Sequence, residues 1–124
     1  MTGAYVALWQ AYFVLTLLLE LPLVAFAAPA GKRVRATIGA FVGNAITHPL
    51  LWFIWPRLMS RTPAIAIGET CAVVLEAAAI GLAARIEARR AFVIALFVNL
   101  YSWALGEMIN RFLLARMVAY VYGG

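Results

Sequence analysis

The stretch from Ala4 to Ala28, AYVALWQAYFVLTLLLELPLVAFAA, decides the fold class. A helix that spans a bilayer needs about 20 consecutive, predominantly apolar residues. This stretch exceeds that length with Glu20 as its only charged side chain. Pro29, Ala30 and Gly31 then stop the helix, and Lys32, Arg33 and Arg35 make the connection that follows short and basic.

Three further apolar runs repeat the pattern, at about 36–56 with Pro49 inside it, at about 64–84, and at about 91–110. Residues 57–63 turn the chain back after the second run, and the basic turn 85–90 precedes the fourth. The expected fold class is an all-α integral membrane protein of four transmembrane helices, with residues 1–124 forming a single four-helix membrane domain. In 111–124, Arg111 and Arg116 stand among Phe112, Leu113, Leu114, Met117, Val118 and Tyr120. This segment is expected either to extend the last helix beyond the membrane or to lie along the interface.

Composition agrees with this reading. Of 124 residues, 66% are hydrophobic and 12% charged, too little polar surface to coat a water-soluble globule. The formal charge of +5 does not indicate nucleic acid as a partner, because the basic residues sit in short clusters between apolar runs and read as topology signals. The single cysteine, Cys71, lies in an apolar run without companions for a disulfide or a zinc site, and is expected to pack. No basic segment or cleavage pattern at the N-terminus suggests a removable signal peptide.

The first and third connections hold six of the ten Lys and Arg residues. The excess of positive charge on cytoplasmic loops therefore predicts a plasma (inner) membrane protein with both termini outside the cytoplasm. Tyr5, Trp9, Trp52, Trp55, Tyr120 and Tyr122 would then fall near the outer interface, where amphipathic rings are favoured.

Placing Glu20 over Glu76 aligns the two halves of the chain. Glu20 is followed by Lys32-Arg33 and then Asn44 and Thr47; Glu76 is followed by Arg89-Arg90 and then Asn99 and Ser102. The order of carboxylate, basic turn, Asn and hydroxyl predicts two tandem helical hairpins. Each unit holds two spans, so the repeat would be parallel, about a pseudo-two-fold axis along the membrane normal.

Four of the five acidic residues, Glu20, Glu69, Glu76 and Glu107, lie inside predicted spans. Even lenient insertion scales charge a central Asp about 2.5 to 3.5 kcal/mol, so these carboxylates should face the bundle interior, a partner or a wet cavity. Glu20, Asn44, Glu76 and Asn99 fall at similar depth, one on each helix, with Thr47 and Ser102 one turn away. Two carboxylates facing across a pseudo-axis would favour a shared proton or a bound cation. The other interpretation of the same residues is interhelical hydrogen bonding that fixes the register of the bundle.

His48 precedes Pro49, whose ring denies a hydrogen bond to the carbonyl of Ala45, and a kink or local opening is expected there. Pro22 does the same to Leu18. His48 with Glu69 is a candidate proton relay or metal pair, although neither the HExxH spacing nor a cysteine cluster is present. Glu69 and Glu76, seven residues apart, share a helix face. Glu107 and Arg111 have the favourable i, i+4 order of a structural ion pair. Gly39 and Gly43 form a GxxxG match, and together with Gly68 and Gly106 are expected to permit close helix approach.

These features favour a unit that binds or translocates a proton, a cation or a small polar molecule, using Glu20, Asn44, Glu76, Asn99, Thr47 and Ser102. Four helices make a narrow bundle, so a homo-oligomer or a larger membrane complex is the expected partner besides the lipid bilayer. An accessory subunit, whose polar residues serve only assembly, is the alternative. An intramembrane enzyme acting on a lipid with His48 and Glu69 or Glu76 is a weaker third, since no catalytic triad, nucleotide loop or metal motif is present and no cofactor is indicated.

Overall fold

The computed structural model describes the backbone of residues 3–122 and the side chains of 3–60 and 62–113. Within it the chain folds as α1 (Gly3–Ala27), a 3-10 turn (Ala30–Lys32), α2 (Arg33–Pro49), a π-helical turn (Leu50–Ile54), α3 (Trp55–Leu58), α4 (Arg61–Ala84) and α5 (Ala88–Tyr122). Four spans among the described residues are long and apolar enough to cross a bilayer: α1, the run from Ala30 to Leu58, Thr62–Ala84 and Ala88–Leu113. This is the pattern of an integral membrane protein.

The interior is rich in alanine, and many of the largest apolar side chains face outward. Ala36, Ala40, Ala84, Ala91 and Ala95 are buried, whereas Phe26 is 82% exposed and Leu82 81% exposed. Water would not tolerate that inversion. In lipid it is expected, because acyl chains solvate large apolar groups as well as a core does, and helix association depends on close packing of small residues.

The helices pack in a ring, α1 on α2, α2 on α4, α4 on α5 and α5 back on α1. In this ring α1 lies across from α4, and α2 across from α5. The contact between α2 and α4 is the most extensive, and glycines explain it. A Cβ added at Gly39 would lie 2.6 Å from the carbonyl oxygen of Ala79, and one at Gly43 would lie 2.7 Å from Cγ of Glu76. The GxxxG pair thus brings the two backbones together as expected. Gly106 differs, since a Cβ there would meet nothing within 4 Å.

Both basic connections lie at one end of the bundle, where Lys32 Nζ donates to the carbonyl of Arg85 at 2.6 Å. Arg85 itself takes a left-handed conformation (φ 51°) that ends α4, and the N–H of Ile86 reaches back to Gly81. At the opposite end the hydroxyl of Tyr5 donates to the carbonyl of Trp52 at 2.8 Å.

Several boundaries differ from the sequence reading for local reasons. The second span does not continue as a uniform helix to residue 56. Directly after Pro49 the chain widens into the π-helical turn, and the N–H of Trp55 bonds to Leu50, five residues back. The opening expected at Pro49 therefore takes the form of a wider turn. Around Pro22, by contrast, α1 runs on without interruption; one missing hydrogen bond does not end a helix packed on its neighbours.

The link after the second span is shorter than 57–63, because α4 begins at Arg61 and holds Pro63 in its first turn, where a missing N–H breaks no hydrogen bond. α5 begins at Ala88, not 91, and continues as one helix to Tyr122. At 35 residues it is about 52 Å long, so it outruns a hydrocarbon core about 30 Å thick. The side chains of Tyr120 and Tyr122 lie outside the described residues.

Candidate functional site

Among the described residues the buried polar side chains are Glu20, Asn44, Thr47, His48, Glu76 and Asn99, and all six line one cavity. Glu20 on α1 and Glu76 on α4 are each 1% exposed. Burial this complete requires partners, and each carboxylate has one within its own hairpin. Asn44 Nδ2 donates to Glu20 Oε2 at 2.8 Å, and Asn99 Nδ2 donates to Glu76 Oε2 at 2.7 Å. Both asparagines also donate to the carbonyl four residues back, Asn44 to Ala40 at 3.2 Å and Asn99 to Ala95 at 2.9 Å. The second bond fixes the amide against its own helix and directs the first at the carboxylate.

The two hydroxyls behave differently. Ser102 donates to Glu20 Oε1 in a short contact that ties α5 to α1, and its oxygen also lies 3.2 Å from the carbonyl of Asn99. Thr47 donates at 3.0 Å to the carbonyl of Gly43, on its own helix. Glu20 thus accepts from two side chains on two helices, and Glu76 from one. Gly43 belongs to the site as well, because the stem of Glu76 occupies the space its missing side chain leaves.

From these residues towards the basic loops the interior is dry, filled by Val24, Ala36, Ala40, Ile80, Ala91 and Ala95. In the other direction a cavity of about 200 Å³ opens, lined from all four spans. Its wall holds Tyr12, Thr16 and Glu20 of α1; Asn44, Thr47 and His48 of α2; Leu51 and Trp52 of the π turn; Glu69, Ala72 and Glu76 of α4; and Asn99, Ser102, Trp103, Gly106, Glu107 and Asn110 of α5. Within that wall the hydroxyl of Tyr12 on α1 donates to Asn110 Oδ1 on α5 at 3.0 Å.

The ionisable residues of that wall are one-sided. Four glutamates line it and no Lys or Arg does, among the described residues, in a chain whose formal charge is +5. Glu20, Glu69 and Glu76 share this wall, whereas Glu107 is paired with Arg111. Carboxylates that ionise in a medium of low dielectric attract counter-charge strongly.

His48 stands among aromatic rings, with its centroid 5.2 Å from Phe13, 6.1 Å from Trp52 and 6.4 Å from Trp9. It is 9% exposed, and its Nδ1 has no hydrogen-bond partner among the described residues. His48 and Glu69 share the cavity, but no hydrogen bond to Glu69 satisfies that nitrogen. Among the described residues no group of three or more His, Cys, Asp or Glu is placed to hold a metal ion.

Glu107 pairs with Arg111, Oε1 to Nε at 2.9 Å, with the two side chains 43% and 79% exposed. An exposed i, i+4 pair of this kind contributes about 0.3 to 0.5 kcal/mol.

Sequence reasoning missed Tyr12, Thr16, Trp103 and Asn110 as cavity residues, and placed Trp52 at the interface only. Helical spacing carries a signal for the first two: Tyr12 and Thr16 precede Glu20 by eight and four residues and so share its face. Compared with known proteins, the chain matches no family model, no curated protein and no solved structure.

Proposed function

We propose that this protein binds a proton or a small cation in the carboxylate-lined cavity, entering from the end that carries the chain termini, and that it belongs to a transport or binding system of the plasma membrane. The observation that carries this reading is the cavity wall, which gathers four of the chain's five acidic residues and excludes its ten basic ones from the described lining. A bound proton or cation offsets the cost of burying these carboxylates in a bilayer. The basic loops, which favour the cytoplasm, would direct the mouth outward.

The proposal includes the hairpin repeat. The matched bonds from Asn44 to Glu20 and from Asn99 to Glu76, each with its companion bond four residues back, support two copies of one unit. The diagonal placement of α1 against α4 and of α2 against α5 is what a two-fold axis along the bundle requires. Translocation would need the dry half to open, and a second copy or a larger complex would supply what a narrow bundle lacks.

The test is cation and proton uptake by proteoliposomes holding the wild type, Glu20→Gln or Glu76→Gln, together with the migration of each protein on a sizing column. Uptake or binding lost in both variants, with folding retained, is the expected result. The accessory-subunit alternative rests on the interhelical bonds at Glu20 and Glu76; it expects lost assembly with unchanged uptake. Uptake indifferent to both substitutions would sink the cation-site reading.

A further inference from the structure

Resting on the cation-cavity reading, we infer that the ligand is a small organic ammonium, held between aromatic rings and carboxylates, and not a bare metal ion. The first observation is the chemistry of the wall. Alongside the glutamates it presents Tyr12, Trp52 and Trp103, three aromatic side chains from three parts of the chain. The rings of Tyr12 and Trp52 pack at 5.4 Å between centroids. Faces of Trp and Tyr attract ammonium groups through the ring quadrupole and at the same time accept their alkyl substituents. An alkali or alkaline-earth ion gains little from such a wall, since it must replace a hydration shell with several oxygen ligands at once. Among the described residues no three His, Cys, Asp or Glu side chains converge in that way.

The second observation is the ring cluster behind that wall. His48 lines the cavity and packs beside Phe13 and Trp52, at 5.2 Å and 6.1 Å between centroids, which extends the aromatic surface beside the carboxylates, while its Nδ1 is shielded from the cavity and has no partner among the described residues.

Size limits the ligand. At about 200 Å³ the cavity falls below the roughly 300 to 1,000 Å³ of sites for drug-sized molecules. An ammonium with a few carbon atoms fits within it, whereas a long-chain or multi-ring cation would extend beyond it.

The experiment uses the full chain in nanodiscs of neutral phosphatidylcholine and reads its tryptophan fluorescence. Choline and ethylammonium are titrated against sodium and potassium at constant ionic strength, with 3,3-dimethylbutan-1-ol as the uncharged counterpart of choline. Saturable change with the ammonium ions, none with the alcohol, and weak competition by sodium or potassium are expected. Trp103→Leu, at an exposed position, should weaken ammonium binding by about threefold or more, and Tyr12→Phe should weaken it less. Equal responses to choline and its uncharged counterpart, or an unchanged affinity in Trp103→Leu, would overturn the inference. If sodium, potassium or protons bind in a manner dependent on Glu76 while the ammonium ions do not, the inference fails and the cation-cavity reading stands. If none of these cations binds, both fail.

Discussion

Asn44 and Asn99 each have one amide nitrogen bonded to a buried carboxylate and to a backbone carbonyl. A hydrogen bond to a charged group is worth about 1.5 to 3 kcal/mol in water-soluble proteins. Interhelical bonds measured within membranes average nearer 0.6, because the separated helices also find partners. Asn44→Ala and Asn99→Ala are therefore each expected to lower stability by about 1 to 2 kcal/mol, read by reversible unfolding in mixed micelles. The hydroxyls should separate. Ser102→Ala removes a donor that joins α5 to Glu20 and should cost about 1 kcal/mol. Thr47→Val removes only a bond to its own helix and should cost less than about 0.5. Equal losses at the two positions would contradict the unequal bonding of the two carboxylates. At this scale the sequence was informative where polarity is expensive. A carboxylate or an amide in an apolar run announces itself, and Glu20, Asn44, Glu76 and Asn99 do lie together. The bond from Ser102 to Glu20, across 82 positions, and the ring cluster at His48 depend on how the hairpins dock, which no local pattern encodes.

Among the elements, the pair α2 and α4 is held closest, by Gly39 and Gly43. Gly39→Ala would drive a methyl group into the carbonyl of Ala79, and Gly43→Ala into the stem of Glu76. Neither neighbour is the free end of a flexible chain, so each substitution should destabilise by about 1 to 3 kcal/mol. Gly106→Ala meets nothing and should be neutral or slightly stabilising, since Ala favours helix over Gly by about 1 kcal/mol. Thermal unfolding of the three variants side by side checks the order. The four spans were legible because a bilayer demands long apolar runs and the chain supplies four. Their ends were less so. Pro63 reads as a breaker in sequence, yet it sits in the first turn of α4, where proline is harmless. Pro49 announces an irregularity without saying that the helix would widen instead of bend.

For the whole molecule, the division into a half with a polar cavity and a half packed with apolar side chains predicts one-sided access. In a Cys71→Ala background, Gly106→Cys and Thr16→Cys should react with a membrane-impermeant maleimide added on the side of the termini and not on the side of the basic loops. Vesicles of both orientations make the comparison, and labelling from the loop side would show that the small-residue core does not seal the bundle. The ring of helices also constrains how the protein is made. Each hairpin supplies its own carboxylate with an asparagine donor, so either can enter the membrane with that carboxyl group already hydrogen-bonded. The contacts from Ser102 to Glu20 and from Tyr12 to Asn110, which join the last helix to the first, cannot form until the ribosome has delivered α5. Synthesis therefore passes through a stage at which Glu20 holds a single donor and the ring stands open along α1, and the last helix to arrive is the one that completes both.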